Sequence, residues 1–135
     1  MADKVTKLAY ANYPGNKQII LPNHKEFSFV ANDTNDHDFI VDCRGKAKAS
    51  ICIDNPTNKT ATITLYGAHA ADADIGDTGV FELDGPGNGS FTVATAVKDY
   101  TVVNDPFPWM IIRVTFAATP NGTTLRGYID LQHGG

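Results

Sequence analysis

An all-β fold, an antiparallel two-sheet β-sandwich of jelly-roll or immunoglobulin-like topology with eight or nine short strands, follows from three observations on the sequence. Apolar and polar residues alternate along much of the chain, as where Met110, Ile112, Val114 and Phe116 share one parity and Arg113 and Thr115 the other. That is the period of a strand with one buried face. Turn-forming clusters recur at about ten-residue spacing. No stretch carries the apolar stripe of an amphipathic helix.

The chain of 135 residues suits one domain, large enough to bury a core without disulfides or metal. Its 12 Gly and 7 Pro, set among many Thr and Val, favour short strands and tight turns. Residues 1–17, with Tyr10, Tyr13, Pro14 and Gly15, show no periodicity and read as an extended N-terminal arm, frayed or docked on a neighbouring subunit. Residues 18–135 form the single sandwich domain.

Gln18 to Leu21 is a short apolar strand stopped by Pro22, and Glu26 to Val30 alternates before the polar loop Asn32 to Asp38. Phe39, Val41 and Cys43 share a face, Gly45-Lys46 turns, and Ala49, Ile51 and Ile53 follow, which predicts a hairpin. After the turn at Asn55-Pro56, Ala61, Ile63 and Leu65 alternate with an exposed threonine row. Gly67 to Gly79 has no strand period and reads as a long loop. Val80 to Leu83 is a short strand, Asp84 to Gly89 a glycine-rich turn, and Phe91 to Val97 another strand, continued by Tyr100 and Val102. Pro106 and Pro108 bar a central ladder, so that connection crosses between sheets or runs along an edge. Trp109 to Phe116 and Leu125 to Leu131, joined through Thr119-Pro120-Asn121-Gly122, read as a second hairpin. It leaves Arg113, Arg126 and Tyr128 on the outside.

The composition excludes several function classes. A net charge of -4 without a basic stripe argues against nucleic acid and anionic membrane as partners. The start Met1-Ala2-Asp3-Lys4-Val5 has no apolar signal core, and no run approaches the roughly 20 apolar residues of a membrane span. Synthesis in the cytoplasm as a soluble protein is expected. If Gly45-Lys46 is a hairpin tip, Cys43 faces Lys48 and Cys52 faces Phe39, so both cysteines are expected as free thiols.

No catalytic residue and no cofactor is expected. The sequence lacks GxxxxGK[ST], GxGxxG and GxSxG, and Gly85 to Ser90 leads into no helix that would cradle a phosphate. His24, His37, His69 and His133 are scattered and read as solvated loop or tail histidines, without a nucleophile or orienting partner. Two acidic loops are calcium candidates, Asp33, Asp36 and Asp38 in one and Asp72, Asp74 and Asp77 in the other, although turn formation explains both without metal. Trp109, Tyr66, Tyr128 and Tyr100 are candidates for a sugar-stacking platform, against the ordinary reading of a core Trp and of tyrosines on a pleated surface.

Tyr66-Gly67, Val80 to Leu83, Ser90 to Val93 and Pro108 to Thr115, in that order, resemble the small β-sandwich accessory proteins of tailed bacteriophages, those of capsid decoration, neck or tail. The resemblance covers residues 60 to 131. It implies a non-catalytic virion subunit, assembled in the host cytoplasm, whose partners are copies of itself and a larger capsid or tail shell. Tyr10 and Tyr13 of the arm, with Arg113, Arg126 and Tyr128, are the expected partner-binding residues. A carbohydrate-binding or adhesion module is the alternative.

Overall fold

The computed structural model describes residues Thr6, Lys7, 24–83, 90–104 and 106–133. Most strands form where the sequence alternates, the first lying instead in the patternless stretch 1–17. The strands are β1 (Thr6–Lys7), β2 (His24–Val30), β3 (His37–Asp42), β4 (Lys46–Asn55), β5 (Ala61–Ala68), β6 (Val80–Glu82), β7 (Phe91–Val93), β8 (Val97–Asn104), β9 (Trp109–Phe116) and β10 (Thr124–His133). One sheet runs β1-β3-β9-β5-β6 with β7 also on β5, and the other runs β2-β10-β4-β8. β6 and β7 lie end to end along the same side of β5, facing Tyr66 to Ala68 and Ala61 to Ile63, so they form one interrupted edge strand. The expected strand at 18–21 and the turn at 84–89 lie outside the described residues.

All pairings are antiparallel except that of β1, which is parallel to β3. From β2 onward every connection crosses between the sheets, apart from β5 to β6 and β6 to β7. With β6 and β7 taken as one, this is the jelly-roll arrangement, which decides between the two expected topologies. The β8 to β9 connection through Pro106 and Pro108 is such a crossing, one of the two courses that the prolines allow.

Between the sheets the inward parities meet. Phe27, Phe39, Val41, Ile51, Ile53, Ile63, Leu65, Met110, Ile112, Val114, Leu125 and Ile129 form the main core. Phe27 stacks on Phe39 with ring centroids 4.1 Å apart. Gly127 on β10 faces inward over Phe27, and a Cβ there would overlap the Phe27 ring. Gly67 stands in the same relation to Phe107.

Both expected hairpins are corrected. β9 pairs with β3 and β5, while β10 pairs with β2 and β4, so the two strands face each other across the core. The connection of residues 117–123 serves as an arch between sheets. It is tied to the end of β2, where the Ala31 N–H donates to the Thr123 carbonyl at 3.0 Å and the Gly122 N–H to the Ala31 carbonyl at 2.8 Å. Gly122, at φ 86°, makes that turn at no steric cost. β3 and β4 likewise lie in different sheets. Cys43 therefore sits in the core and Cys52 on the outer side of the four-stranded sheet, which replaces the expected placement opposite Lys48 and Phe39. Both are free thiols, and burial pushes the Cys43 thiol up to about 12.

The strand expected from Phe91 to Val97 breaks at residues 94–96, where the chain leaves one sheet for the other. Ala96 takes φ 56° there, the only non-glycine residue at positive φ among the described residues. Asn55, buried at the end of β4, holds this crossing. Its amide donates to the carbonyls of Lys59, Val93 and Ala94 at 2.9, 3.0 and 3.2 Å, and its Oδ1 accepts from the Thr57 N–H and hydroxyl.

Candidate functional site

The two outer faces differ. On the six-stranded sheet, Ile40, Ala68 and Ile111 point outward and are covered by Ala73 and Ile75 of the long loop, with Tyr66, Val80 and Trp109 packed around them. That loop, patternless in sequence, closes a second small core. Apolar residues on both parities, as in Phe39-Ile40-Val41 and Met110-Ile111-Ile112, signal this two-sided burial.

The outer face of the four-stranded sheet has no such cover among the described residues. Its register sets side chains in rows across β2, β10, β4 and β8 in that order. One row is Glu26, Tyr128, Cys52 and Tyr100; the next is Ser28, Arg126, Asp54 and Lys98; a third is His24, Asp130, Ser50 and Val102. Tyr100 is 69% exposed. Between Arg126 and Tyr128, neighbours on one face of β10, lies an open groove of about 310 Å³ lined by Glu26, Phe27, Ser28, Arg126 and Tyr128. The exposed Arg126 guanidinium makes no hydrogen bond or ion pair with any described residue.

Charge at the end of this face is held by His24. Its Nδ1 lies 2.7 Å from Asp130 Oδ1 and its Nε2 3.3 Å from Glu26 Oε1. A protonated ring donates from both nitrogens, whereas a neutral ring donates from one. The hydrogen bond to Asp130, followed by that to Glu26, raises the His24 pKa above its ordinary 6.5 against the opposing effect of burial.

The predicted site residues are split by the fold. Arg126 and Tyr128 stand side by side here, but Arg113 is on the outer face of the other sheet. It grips Asp38 with two hydrogen bonds of 2.7 and 2.9 Å and reaches Asp36 at 3.3 Å. Tyr10 and Tyr13 lie outside the described residues. Trp109 and Tyr66 are on the covered face, beneath Arg44 and Arg113 respectively, while Tyr100 and Tyr128 are on the open face. The four rings therefore make no single platform.

The first acidic loop is spent on internal contacts, Asp36 and Asp38 on Arg113 and Asp33 on His37 Nε2 at 2.8 Å. In the second, Asp77 accepts from the Asp74 N–H at 2.9 Å and closes a turn. Among the described residues no three His, Cys, Asp or Glu side chains come together in a group that could hold a metal.

His24, His37 and His133 depart from the loop or tail expectation as strand residues, His37 buried and stacked on Phe29 at 4.1 Å, whereas His69 is exposed in the loop after β5, as expected, with its ring stacked on Phe107 at 5.3 Å. Lys25 faces inward at 2% exposure, donating to the Asp42 carbonyl at 2.9 Å, and burial lowers its pKa. Glu26 and Ser28, the groove residues not anticipated from the sequence, were already outward by alternation; their place beside β10 depends on long-range pairing.

No protein-family model and no curated protein matches the chain. Among solved structures it is similar to PliG of Aeromonas hydrophila, a periplasmic lysozyme inhibitor of g-type lysozyme. The identity is 14% over 97% of this chain and 100% of that one, with TM-score 0.46. Similarity extends to CorA, a surface-associated copper-binding protein of Methylomicrobium album BG8, at 8% identity over 98% and 99% of the two chains, TM-score 0.48. PliG of Salmonella Typhimurium matches at 14% identity over 97% and 100%, TM-score 0.39. These likenesses bear on the fold alone. The three are inhibitor and binding proteins of bacteria and not virion components. The expected virion subunit, its capsid or tail shell and its location in a virus particle are corrected on that finding.

Proposed function

We propose that this chain is a non-enzymatic binding module that docks a protein partner through the outer face of its four-stranded sheet. The observation that carries the reading is the contrast between the two faces. One is closed by the chain's own loop, and the other presents Tyr100, Tyr128 and Arg126 uncovered by any described residue. Tyr and Arg are the residue types that anchor protein interfaces, because each offers a large contact area together with hydrogen-bonding capacity.

A photo-crosslinking residue at position 100, compared with one at the exposed Thr62 of the opposite sheet, tests this in extract of the source cells. The expected product forms from position 100 only. The captured protein, purified, then binds the full chain, and Tyr128→Ala weakens it at least roughly ten-fold with unchanged melting temperature. Crosslinking from position 62 alone, or binding indifferent to Tyr128→Ala, overturns the reading.

A copy of the same chain is one form such a partner takes. Among the described residues β8 is paired only on its β4 side, and an unpaired edge strand is a template for another chain. Sedimentation showing a monomer at every concentration removes that form.

A further inference from the structure

We infer that the groove between Arg126 and Tyr128 receives a carboxylate, the acidic side chain of the docked partner. This rests on the docking reading above and names the chemistry at its centre. Arg126 brings five N–H donors in a planar fork, and the described protein uses none of them. A carboxylate matches that fork with two parallel hydrogen bonds, a geometry the chain itself displays between Arg113 and Asp38.

The rest of the lining agrees. Ser28, directly across from Arg126 on β2, adds a hydroxyl, and Tyr128 supplies a ring against which the methylenes of an acidic side chain can lie. Two carboxylates oppose an anion, Glu26 in the lining and Asp54 across from Arg126 on β4. His24 Nε2 lies 3.3 Å from the Glu26 carboxylate and offsets its charge when protonated, and Lys98 follows Asp54 in the row. A cationic group would meet Arg126 directly. At about 310 Å³ the groove is at the small end of ligand pockets, suited to one side chain rather than to an extended ligand.

Two-dimensional nitrogen–proton NMR of the full chain tests the inference with Ac-Gly-Glu-Gly-NH2, its Gln analogue and inorganic phosphate as probes. The Glu peptide is expected to shift the amides of Phe27, Arg126, Gly127 and Tyr128 saturably. The Gln analogue should bind roughly ten-fold more weakly, the usual worth of a charge-assisted pair. Arg126→Gln is expected to abolish the saturable shifts and Arg126→Lys to keep part of them. Both are surface substitutions that leave the fold intact. Equal shifts from the Gln peptide, saturation by phosphate but not by the Glu peptide, or shifts unmoved by Arg126→Gln each overturn the assignment. If docking is right and the carboxylate wrong, the position-100 crosslink survives Arg126→Gln. If the groove is right and docking wrong, the peptide binds and the crosslink is missing.

Discussion

Gly127 and Phe27 occupy one volume between them. They are paired across β10 and β2, and the Phe27 ring fills the space that any side chain at 127 would need. Gly127→Ala is therefore expected to cost about 1–3 kcal/mol, the usual price of overpacking a core. Urea denaturation reads it as a lowered midpoint at constant slope. Because the cause is local overlap, Phe27→Leu in the same chain should return part of the loss, and an additive double variant would refute the account.

Arg113 is a support rather than a contact residue. Asp38 is 4% exposed, and both its oxygens accept from the Arg113 guanidinium. Arg113→Met strands that carboxylate, so a loss of about 3–5 kcal/mol is expected. Arg113→Met with Asp38→Asn should be milder than the single change. Thermal unfolding of the three variants gives the comparison.

Asn55 ties the β4 end to the crossing at Val93 and Ala94. Asn55→Asp has nearly the same shape but removes the amide donor from the Val93 and Ala94 carbonyls, while the Lys59 carbonyl keeps the Thr57 hydroxyl. A loss of about 2–4 kcal/mol is expected. Faster amide exchange at residues 57–59 and 93–97, with the groove strands unchanged, would locate it; uniform exchange throughout would contradict the local account.

The His24 contacts give a pH dependence with a definite sign. The folded pKa lies above 6.5, so folding is favoured by protonation. The contribution is complete below 6.5 and disappears as pH rises through the raised folded value. Its partners are well exposed, which holds it to about 0.2–1 kcal/mol. The stability difference between the parent chain and His24→Gln should be present at pH 5.5 and gone well above the folded pKa. NMR titration of the ring should show its pKa falling toward 6.5 in Asp130→Asn. A difference that grows with pH would reverse the sign.

What the sequence determined by itself is the face each residue shows. Alternation is local, so it placed Met110, Ile112 and Ile129 in the core and Arg126 and Tyr128 outside without reference to any partner strand. The same locality is why Trp109 to Leu131 reads as a hairpin. Two strands joined by a short connection have the same inward parity whether they lie side by side or face each other across a core.

Only the tertiary structure decided between those arrangements. The tie from Ala31 to Gly122 and Thr123 carries β10 into the sheet of β2, which brings Glu26 and Ser28 to Tyr128 and Arg126 and sends Arg113 to the opposite face. The covering loop was decided there too. Ile75 and Ala73 have no period of their own, and they are placed by the outward Ile40 and Ile111, whose apolar surface is buried only when the loop folds over it.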